Sequence, residues 1–415
     1  MSSSKLVWII AFSSVLGACG GGGSGGSSTT NGSGTAGGSS PAASDVSAIT
    51  TMLTQYAAKL QTAPSATDTG LKAFFNQSQF LHDGNGISDY LTEMAYVAST
   101  IGAGHTMGIT NVSVAAAPSW ASSIAASNLA YLATWSYTVD GVVTGSESQV
   151  VVKPSSSWLL DGDQQQIAVG LEAAEYSFEN GSSGRSLCTS INFKTFSGTL
   201  TPATMNYAVV TGPGLPAAGV TLVNNGDQWF VAGGAYTGDE TTPAQAYSSI
   251  CQEQADYLIS DATISTMPNN GQYTFKVYND EGTGSNLADD QLVATYYAVL
   301  PAPPMKTSVL SNAYFPGTIT VTPSFASTTS AGGDVTVSWG APSQGGAVPY
   351  FTSVSATDAL GDSLIDVTFN GEAVAGSPLQ VTVPASGKVA TSVQFGIQSF
   401  DTAQREYIFN TTGAY

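Results

Sequence analysis

The sequence has few charged residues, and most of them are acidic. Lys and Arg total 10 against 29 for Asp and Glu, so the formal net charge is −19 and only 9% of residues are charged. Because phosphate binding requires clustered cations, this shortage argues against binding to DNA or RNA. Hydrophobic residues make up 42% of the 415-residue chain, which is enough apolar surface for packed cores. The length predicts two to four domains.

Histidines and recognisable catalytic motifs are also scarce. The chain has only two histidines, His82 and His105, and it has no metalloprotease, phosphate-loop or dinucleotide-binding motif. Residues 22–26 match a nucleophile-elbow pattern, but they lie in a Gly/Ser-rich run without the strand, turn and helix that this motif requires. Since acid–base catalysis relies mainly on His, Lys and positioned carboxylates, we predict a protein without catalytic activity and without a cofactor.

The first apolar run is too short to span a membrane. Residues 6–15 are apolar apart from two serines, and ten helical residues extend about 15 Å, half of a bilayer's hydrocarbon core. This pattern is typical of a signal peptide. The run ends in Leu16-Gly17-Ala18-Cys19, which resembles the lipobox of bacterial lipoproteins.

The lipobox resemblance implies removal of residues 1–18 and attachment of acyl chains such as palmitate to Cys19. Two or three chains would hold the protein stably in a lipid bilayer. Gly20 after the cysteine favours the outer membrane of the bacterial cell envelope over inner-membrane retention. An ordinary secretory signal with a chance cysteine is the alternative. Residues 19–43 are dominated by Gly, Ser and Thr, which predicts a flexible tether that reaches on the order of 25–30 Å.

With Cys19 assigned to lipid, Cys188 and Cys251 remain. In an exported protein, an isolated pair most economically forms one disulfide. Closing this loop of about 60 residues would stabilise the fold by roughly 4 kcal/mol in the chain-entropy model. Two free buried thiols are the alternative.

Residues 44–170 have helical periodicity first and strand signals afterwards. Apolar residues at three- and four-residue spacing predict a helix that begins near Ser44 and ends before Pro64. Two further helices are predicted at 68–76 and 88–99. The strand signals follow at 107–115, 127–139, 142–152 and 157–160. Between the second and third, Asp140-Gly141 predicts a two-residue hairpin turn.

This order resembles the NTF2-like, or SnoaL-like, fold, in which helices pack against a curved antiparallel sheet. The resemblance rests on the Asp140-Gly141 hairpin and on residues 74–84 and 158–164. It implies an internal cavity, for which His82 and Asp83 are the candidate ligand-binding residues, and it allows a homodimer through the sheet. Because adjacent strand residues point to opposite faces, we interpret His82 as a turn or rim residue. His105 is interpreted as a surface residue of a Gly-rich loop.

Acidic residues are interpreted as parts of turns and solvated loops. Residues 83–89 lack the third acidic position and the distal Glu of a calcium-binding loop. The pairs Asp239-Glu240, Asp280-Glu281 and Asp289-Asp290 lie in polar segments, and calcium ligation by them is the alternative. No metal site is therefore predicted.

The rest of the chain has repeated strand signals. Residues 171–304 contain seven short candidate strands, as expected for one β-sandwich. Residues 305–415 contain seven more. Within these, the run 335–339, Val-Thr-Val-Ser-Trp, resembles the second strand of fibronectin type III domains, in which a Trp fills the core. The predicted fold class is thus an α+β N-terminal domain followed by two all-β, immunoglobulin-like sandwich domains.

Two functions are consistent with this sequence. The first is a non-enzymatic envelope lipoprotein that acts in binding, adhesion or assembly, with a protein or glycan as partner. The second is a small-molecule-binding protein or enzyme that uses the cavity of the NTF2-like domain. A polar-lined pocket with His82 or Asp83 favours the second function, and a solidly packed interior favours the first.

Overall fold

The structure is a computed structural model that describes most of the chain from Ser40 onward. The described residues are 40–101, 106–117, 129–180, 185–197, 205–224, 229–232, 255–269, 271–282, 288–370, 378–401 and 403–413. They divide into two compact units. The first consists of the described residues within 40–171, 193–232 and 268–301, and the second of those within 172–192, 255–267 and 302–413.

The first unit begins with helices and a four-stranded sheet. The helices are α1 (Ala43–Leu60), α2 (Thr69–Lys72) and α3 (Ile87–Ile101). The strands are β1 (Leu81–His82), β2 (Asn85–Gly86), β3 (Met107–Ala116), β4 (Leu129–Val139), β5 (Val142–Lys153) and β6 (Leu159–Gly162). β1 and β2 form a small hairpin, and β3 to β6 form an antiparallel meander.

Apolar periodicity explains how the helices pack on this sheet. The residues of α1 that the sequence predicts to face inward, Ile49, Met52, Leu53, Tyr56 and Leu60, are all buried. They belong to one cluster with side chains of α3 and with the inward face of β4, including Trp135. Asp140 and Gly141 have φ of +48° and +80°, as a two-residue turn between β4 and β5 requires.

The middle of the chain contributes elements to both units. They are β7 (Ile167–Asn180), β8 (Arg185–Ser197), β9 (Tyr207–Thr211), β10 (Val220–Asn224), β11 (Trp229–Val231), β12 (Asp256–Leu258), α4 (Asp261–Ile264), β13 (Gly271–Asn279) and β14 (Gln291–Leu300). Five of them form the second sheet of the first unit, which is antiparallel and has the order β11-β10-β9-β13-β14.

The second unit contains a β-sandwich. Its elements from residue 305 onward are β15 (Ile319–Thr322), α5 (Phe325–Thr328), β16 (Gly333–Trp339), β17 (Val348–Thr357), β18 (Ser363–Asn370), β19 (Leu379–Val383), β20 (Ser392–Phe400) and β21 (Glu406–Gly413). The order β15-β16-β19 makes one sheet, and β18-β17-β20-β21 belongs to the other. One apolar cluster joins residues of both sheets. The predicted sandwich is confirmed.

Trp339 lies where the fibronectin type III resemblance implies. It ends β16, the second strand of the sandwich, and it is 9% exposed within the core cluster. Val335 and Val337, two and four residues earlier, are fully buried. This alternation points every second residue of β16 into the core.

β7 and β8 differ from the predicted arrangement. The sequence assigns them to a separate sandwich over 171–304, whereas the structure adds them to the sheet of the C-terminal sandwich in the order β12-β8-β7-β21. Residues 174–180 of β7 pair in parallel with 406–412 of β21. This pairing satisfies backbone groups that would otherwise be exposed at the sheet edge.

Among the residues that the structure describes, no helix has the length and apolar character needed to cross a bilayer. The predicted signal peptide, Cys19 and most of the predicted tether lie outside the described residues.

Candidate functional site

Four ionisable side chains meet in the interior of the first unit. This group, called the His82 cluster below, consists of His82, Asp83, Glu147 and Asp163. His82 ends β1, and Asp83 begins the two-residue turn to β2 with φ of +50°. Because Asp83 is in this left-handed turn and not in a strand, strand alternation does not separate its side chain from that of His82. Asp83 Oδ2 lies 3.4 Å from His82 Nε2.

Asp163 enters the cluster directly after β6. Its Oδ1 accepts hydrogen bonds from the backbone N–H groups of Asp83 (3.1 Å) and Gln165 (2.9 Å). The same oxygen lies 3.8 Å from His82 Nδ1. Gly162 makes this approach possible, since a Cβ there would lie 1.9 Å from the Leu81 carbonyl oxygen. The turn after β6 therefore holds Asp163 against the β1–β2 hairpin.

Glu147 approaches His82 from β5. Its Oε1 lies 3.4 Å from His82 Nε2 and accepts a hydrogen bond from the Tyr90 hydroxyl at 2.7 Å. The Tyr137 hydroxyl donates to Oε2 at 2.5 Å. Gln149 Nε2 also donates to Tyr90 Oη at 2.9 Å and to Glu147. Glu147 is only 5% exposed, so these neutral donors replace the water that solvates a surface carboxylate.

Burial controls the protonation of the two aspartates. It raises the pKa of Asp83 to about 7, against the lowering effect of a hydrogen bond with Asp163. Burial likewise raises the pKa of Asp163 to about 7, with the negative charge of Asp83 acting in the same direction. Close carboxyl groups in a dry site resist carrying two negative charges together.

The tyrosines around the His82 cluster stay protonated and act as hydrogen-bond donors. Burial, and then the charge of Glu147, raise the pKa of Tyr90 and Tyr137 well above 10. The His82 ring also packs edge-on against Tyr90, with centroids 5.4 Å apart. Tyrosine hydroxyls thus supply hydrogen bonds without adding charge.

The His82 cluster has an unsatisfied polar atom and an excess of acid. The His82 side chain is 9% exposed, and its buried Nδ1 has no hydrogen-bond partner among the residues that the structure describes. Within the described part of the chain, no Lys or Arg forms an ion pair with Asp83, Glu147 or Asp163. A buried acidic site of this kind is suited to a cation or a hydrogen-bonding ligand.

The sequence identified two members of the cluster and missed two. It predicts His82 and Asp83 as candidate ligand-binding residues and places His82 in a turn or at the rim. In the structure it is next to a turn but is buried, so the rim interpretation is wrong: the turn at Asp83 places the imidazole in the interior. Glu147 was detectable from alternation, because it lies on the same face of β5 as Val151, which packs in the core. For Asp163, the only signal in the sequence is its position directly after the last strand of the meander.

The remaining predicted sites have different outcomes. Cys188 on β8 is buried beside Ala174 and Ile408, whereas Cys251 lies outside the described residues. Their disulfide stays a prediction. His105, Asp239 and Glu240 also lie outside the described residues.

Two other acidic residues have local partners in the first unit. Asp280 accepts the backbone N–H of Gly282 at 2.9 Å, and Asp290 accepts the Tyr207 hydroxyl. Each carboxylate therefore already stabilises a turn or a strand.

Comparisons with known proteins identify no family. No family model matches the sequence, and no curated protein matches it. Solved structures with some similarity include the FN1–FN3 domains of chicken CNTN1, with 11% identity over 69% of this chain and 96% of that chain and a TM-score of 0.21.

Two further similar structures come from adhesins. A tetra-tandem repeat from the extending region of a large adhesion protein is 11% identical over 69% of this chain and 56% of that chain, with a TM-score of 0.18. A Ca²⁺-stabilised adhesin with which an Antarctic bacterium binds ice is 13% identical over 73% of each chain, with a TM-score of 0.20. TM-scores this low do not establish a shared fold. The β-sandwich is established by the strand pairing within this structure.

Proposed function

We propose that this chain is a lipid-anchored binding protein of a bacterial cell envelope. It would consist of a tethered series of modules without catalytic activity. 

Acyl chains on Cys19 would hold it at the bilayer, and residues 19–43 would tether an NTF2-like domain and immunoglobulin-like sandwiches. The partner of these modules would be a protein or a glycan.

The observation that carries this proposal is the sandwich of the second unit. β15 to β21 form two facing sheets around one apolar cluster, an architecture that presents loops at both ends of a rigid core. Such a module, placed after a lipobox-like motif and a Gly/Ser-rich tether, is suited to binding at a cell surface. The net charge of −19 would limit non-specific contact with acidic polymers.

Packing in the first unit supports the NTF2-like assignment. α1, α3 and the inward faces of β4 and β5 contribute to one core cluster, so the helices cover one side of the meander. The opposite side of this sheet is itself buried at Ala130, Val150 and Val152, so a homodimer through that side is not part of the proposal.

The lipid anchor is tested by metabolic labelling. Cells that express the full chain are grown with labelled palmitate, with and without globomycin, beside cells that express Cys19→Ser. We expect label on the wild type, accumulation of the uncleaved form with globomycin, and neither effect in the variant. Cys188→Ser is the matched control and should retain the label. An unlabelled wild-type protein, or equal labelling of Cys19→Ser, would contradict the anchor.

A second candidate function is small-ligand binding inside the NTF2-like domain, which the His82 cluster favours. Among the described residues, one imidazole nitrogen is buried without a hydrogen-bond partner, and the carboxylates beside it have no Lys or Arg ion pair. Burying such groups is costly unless a ligand completes their interactions.

Native mass spectrometry of the protein purified from its own cells tests this second function. We expect a non-covalent adduct that is lost on denaturation and is absent from an Asp83→Asn, Asp163→Asn double variant. Adduct-free wild-type protein would contradict it.

A further inference from the structure

We propose that His82, Asp83 and Asp163 bind one divalent transition-metal cation of the Zn²⁺ class. This inference names a ligand class for the second candidate function and rests on it, but it is independent of the lipid anchor.

The three side chains are close enough to share one ion. A ligand atom from each lies within 4.8 Å of the ligand atoms of the other two. Zinc ligands lie about 2.0–2.2 Å from the metal, so neighbouring ligands of a tetrahedral ion are on the order of 3.5 Å apart. The contact of Asp163 Oδ1 to His82 Nδ1, at 3.8 Å, is close to this spacing. Asp83 Oδ2 lies 3.4 Å from the other ring nitrogen, Nε2, so the Asp83 carboxylate would turn toward Nδ1 to share the ion. Small side-chain movements would bring all three to an ion.

The types of donor favour a transition metal over calcium or magnesium. Ca²⁺ and Mg²⁺ select oxygen ligands, whereas Zn²⁺ and its neighbours readily combine imidazole nitrogen with carboxylate oxygen. The buried Nδ1 of His82 has no hydrogen-bond partner in the described part of the chain, so its lone pair would be available to an ion. Water would supply a remaining ligand, as at many zinc sites with three protein ligands.

Glu147 would complete the site as a positioning residue. Metal-binding histidines usually direct their second nitrogen to a carboxylate or carbonyl, which fixes the orientation of the ring. Glu147 Oε1 lies 3.4 Å from His82 Nε2, and Tyr90 and Tyr137 hold this carboxylate in place. Nδ1 is then the nitrogen directed to the ion.

Charge also favours a cation. Three carboxyl groups surround one imidazole in a buried space, and within the described chain none has a Lys or Arg ion pair. A divalent ion would offset their mutual repulsion. A proton shared by Asp83 and Asp163 is the competing arrangement, and the experiment below distinguishes the two.

The test measures Zn²⁺ binding by the purified full chain in detergent. The protein is stripped with EDTA, passed into metal-free buffer and titrated with Zn²⁺, and bound zinc is measured by mass spectrometry after gel filtration. We expect one Zn²⁺ per chain for the wild type and at least tenfold weaker binding for Asp83→Asn and Asp163→Asn. Asp161→Asn is the matched control, because Asp161 is a buried acid of the same segment that pairs with Asn76 instead.

Circular dichroism establishes that each variant is folded before the titration. If an aspartate variant does not fold, His82→Gln is compared with His105→Gln, and we expect weaker binding only for the first. A folded wild-type protein that binds no Zn²⁺, or variants that bind it as tightly as the wild type, would overturn the inference. Loss of palmitate labelling with zinc binding retained would reject the anchor alone.

Discussion

His82 Nε2 lies 3.4 Å from Glu147 Oε1, a buried carboxylate that two tyrosine hydroxyls hold in place. The relationship joins the end of β1 to the middle of β5. The hydrogen bonds from Tyr90 and Tyr137 to Glu147 therefore both stabilise the β3–β6 sheet and position the His82 cluster.

Removal of the Tyr137 hydroxyl should destabilise the first unit. Tyr137→Phe leaves Glu147 Oε2 without its 2.5 Å donor, and a buried charged group that loses a hydrogen bond costs about 1–3 kcal/mol. The measurement is the urea midpoint from Trp fluorescence. Tyr131→Phe is the control, since its hydroxyl makes a long, 3.5 Å contact with Asp45, and it should change stability by less than about 1 kcal/mol. Equal effects of the two substitutions would contradict the role assigned to Glu147.

Gly162 should tolerate no side chain. Its φ is +81°, and a Cβ would lie 1.9 Å from the Leu81 carbonyl oxygen. We expect Gly162→Ala to cost more than about 3 kcal/mol and to displace Asp163 from the cluster. Gly141→Ala, at φ +80° but in open space, should cost only about 1–2 kcal/mol from the left-handed backbone. Thermal unfolding of both variants tests this difference, and similar melting temperatures would contradict it.

Glu175 in the second unit should make stability fall as pH rises. Burial raises its pKa to about 8 from 4.5, although hydrogen bonds such as that from Met305 N–H oppose the shift. Between these values the folded state keeps a proton that the unfolded state releases. The stabilisation is therefore complete below about pH 4.5 and is lost as pH rises through 8, at up to about 1.4 kcal/mol per pH unit.

Urea unfolding of Glu175→Gln at pH 5 and pH 8 measures this effect. The wild type should lose stability relative to the variant over this range, because Gln does not titrate. Glu179→Gln is the control on the same strand, where the carboxylate is 37% exposed beside Arg185, and it should follow the wild type. A pH dependence of Glu175→Gln equal to that of the wild type would contradict the buried proton.

Cys188 and Cys251 should form a disulfide in exported protein. Peptide mapping without reductant should show the two cysteine peptides linked, and reduction should lower the free energy of unfolding by about 4 kcal/mol. Complete alkylation of both thiols without reductant would show that they are free.

Local patterns in the sequence predict the strands of the C-terminal sandwich well. Alternation in β16 identifies Val335, Val337 and Trp339 as core residues, and all three are buried there. The Asp140-Gly141 turn is predicted from its two residues because few other pairs adopt positive φ at both positions. These features depend only on neighbouring residues, so they are visible without the structure.

Long-range pairing was not predictable in this way. The parallel pairing of Ala174 with Glu406 joins segments more than two hundred residues apart, and alternation in either strand does not specify a partner. The His82 cluster was missed for a related reason. The turn at Asp83 breaks the alternation rule, and Glu147 and Asp163 reach His82 only after the meander folds.

The most direct test of the His82 cluster as a ligand site is ¹⁵N NMR of the imidazole nitrogens. The chain has only two histidines, so a His105→Asn variant assigns the spectrum of histidine-labelled protein. One equivalent of Zn²⁺ should shift the nitrogen resonances of His82 and leave those of His105 unchanged. Resonances of His82 that do not move, in protein that is folded and in the presence of excess Zn²⁺, would contradict the account.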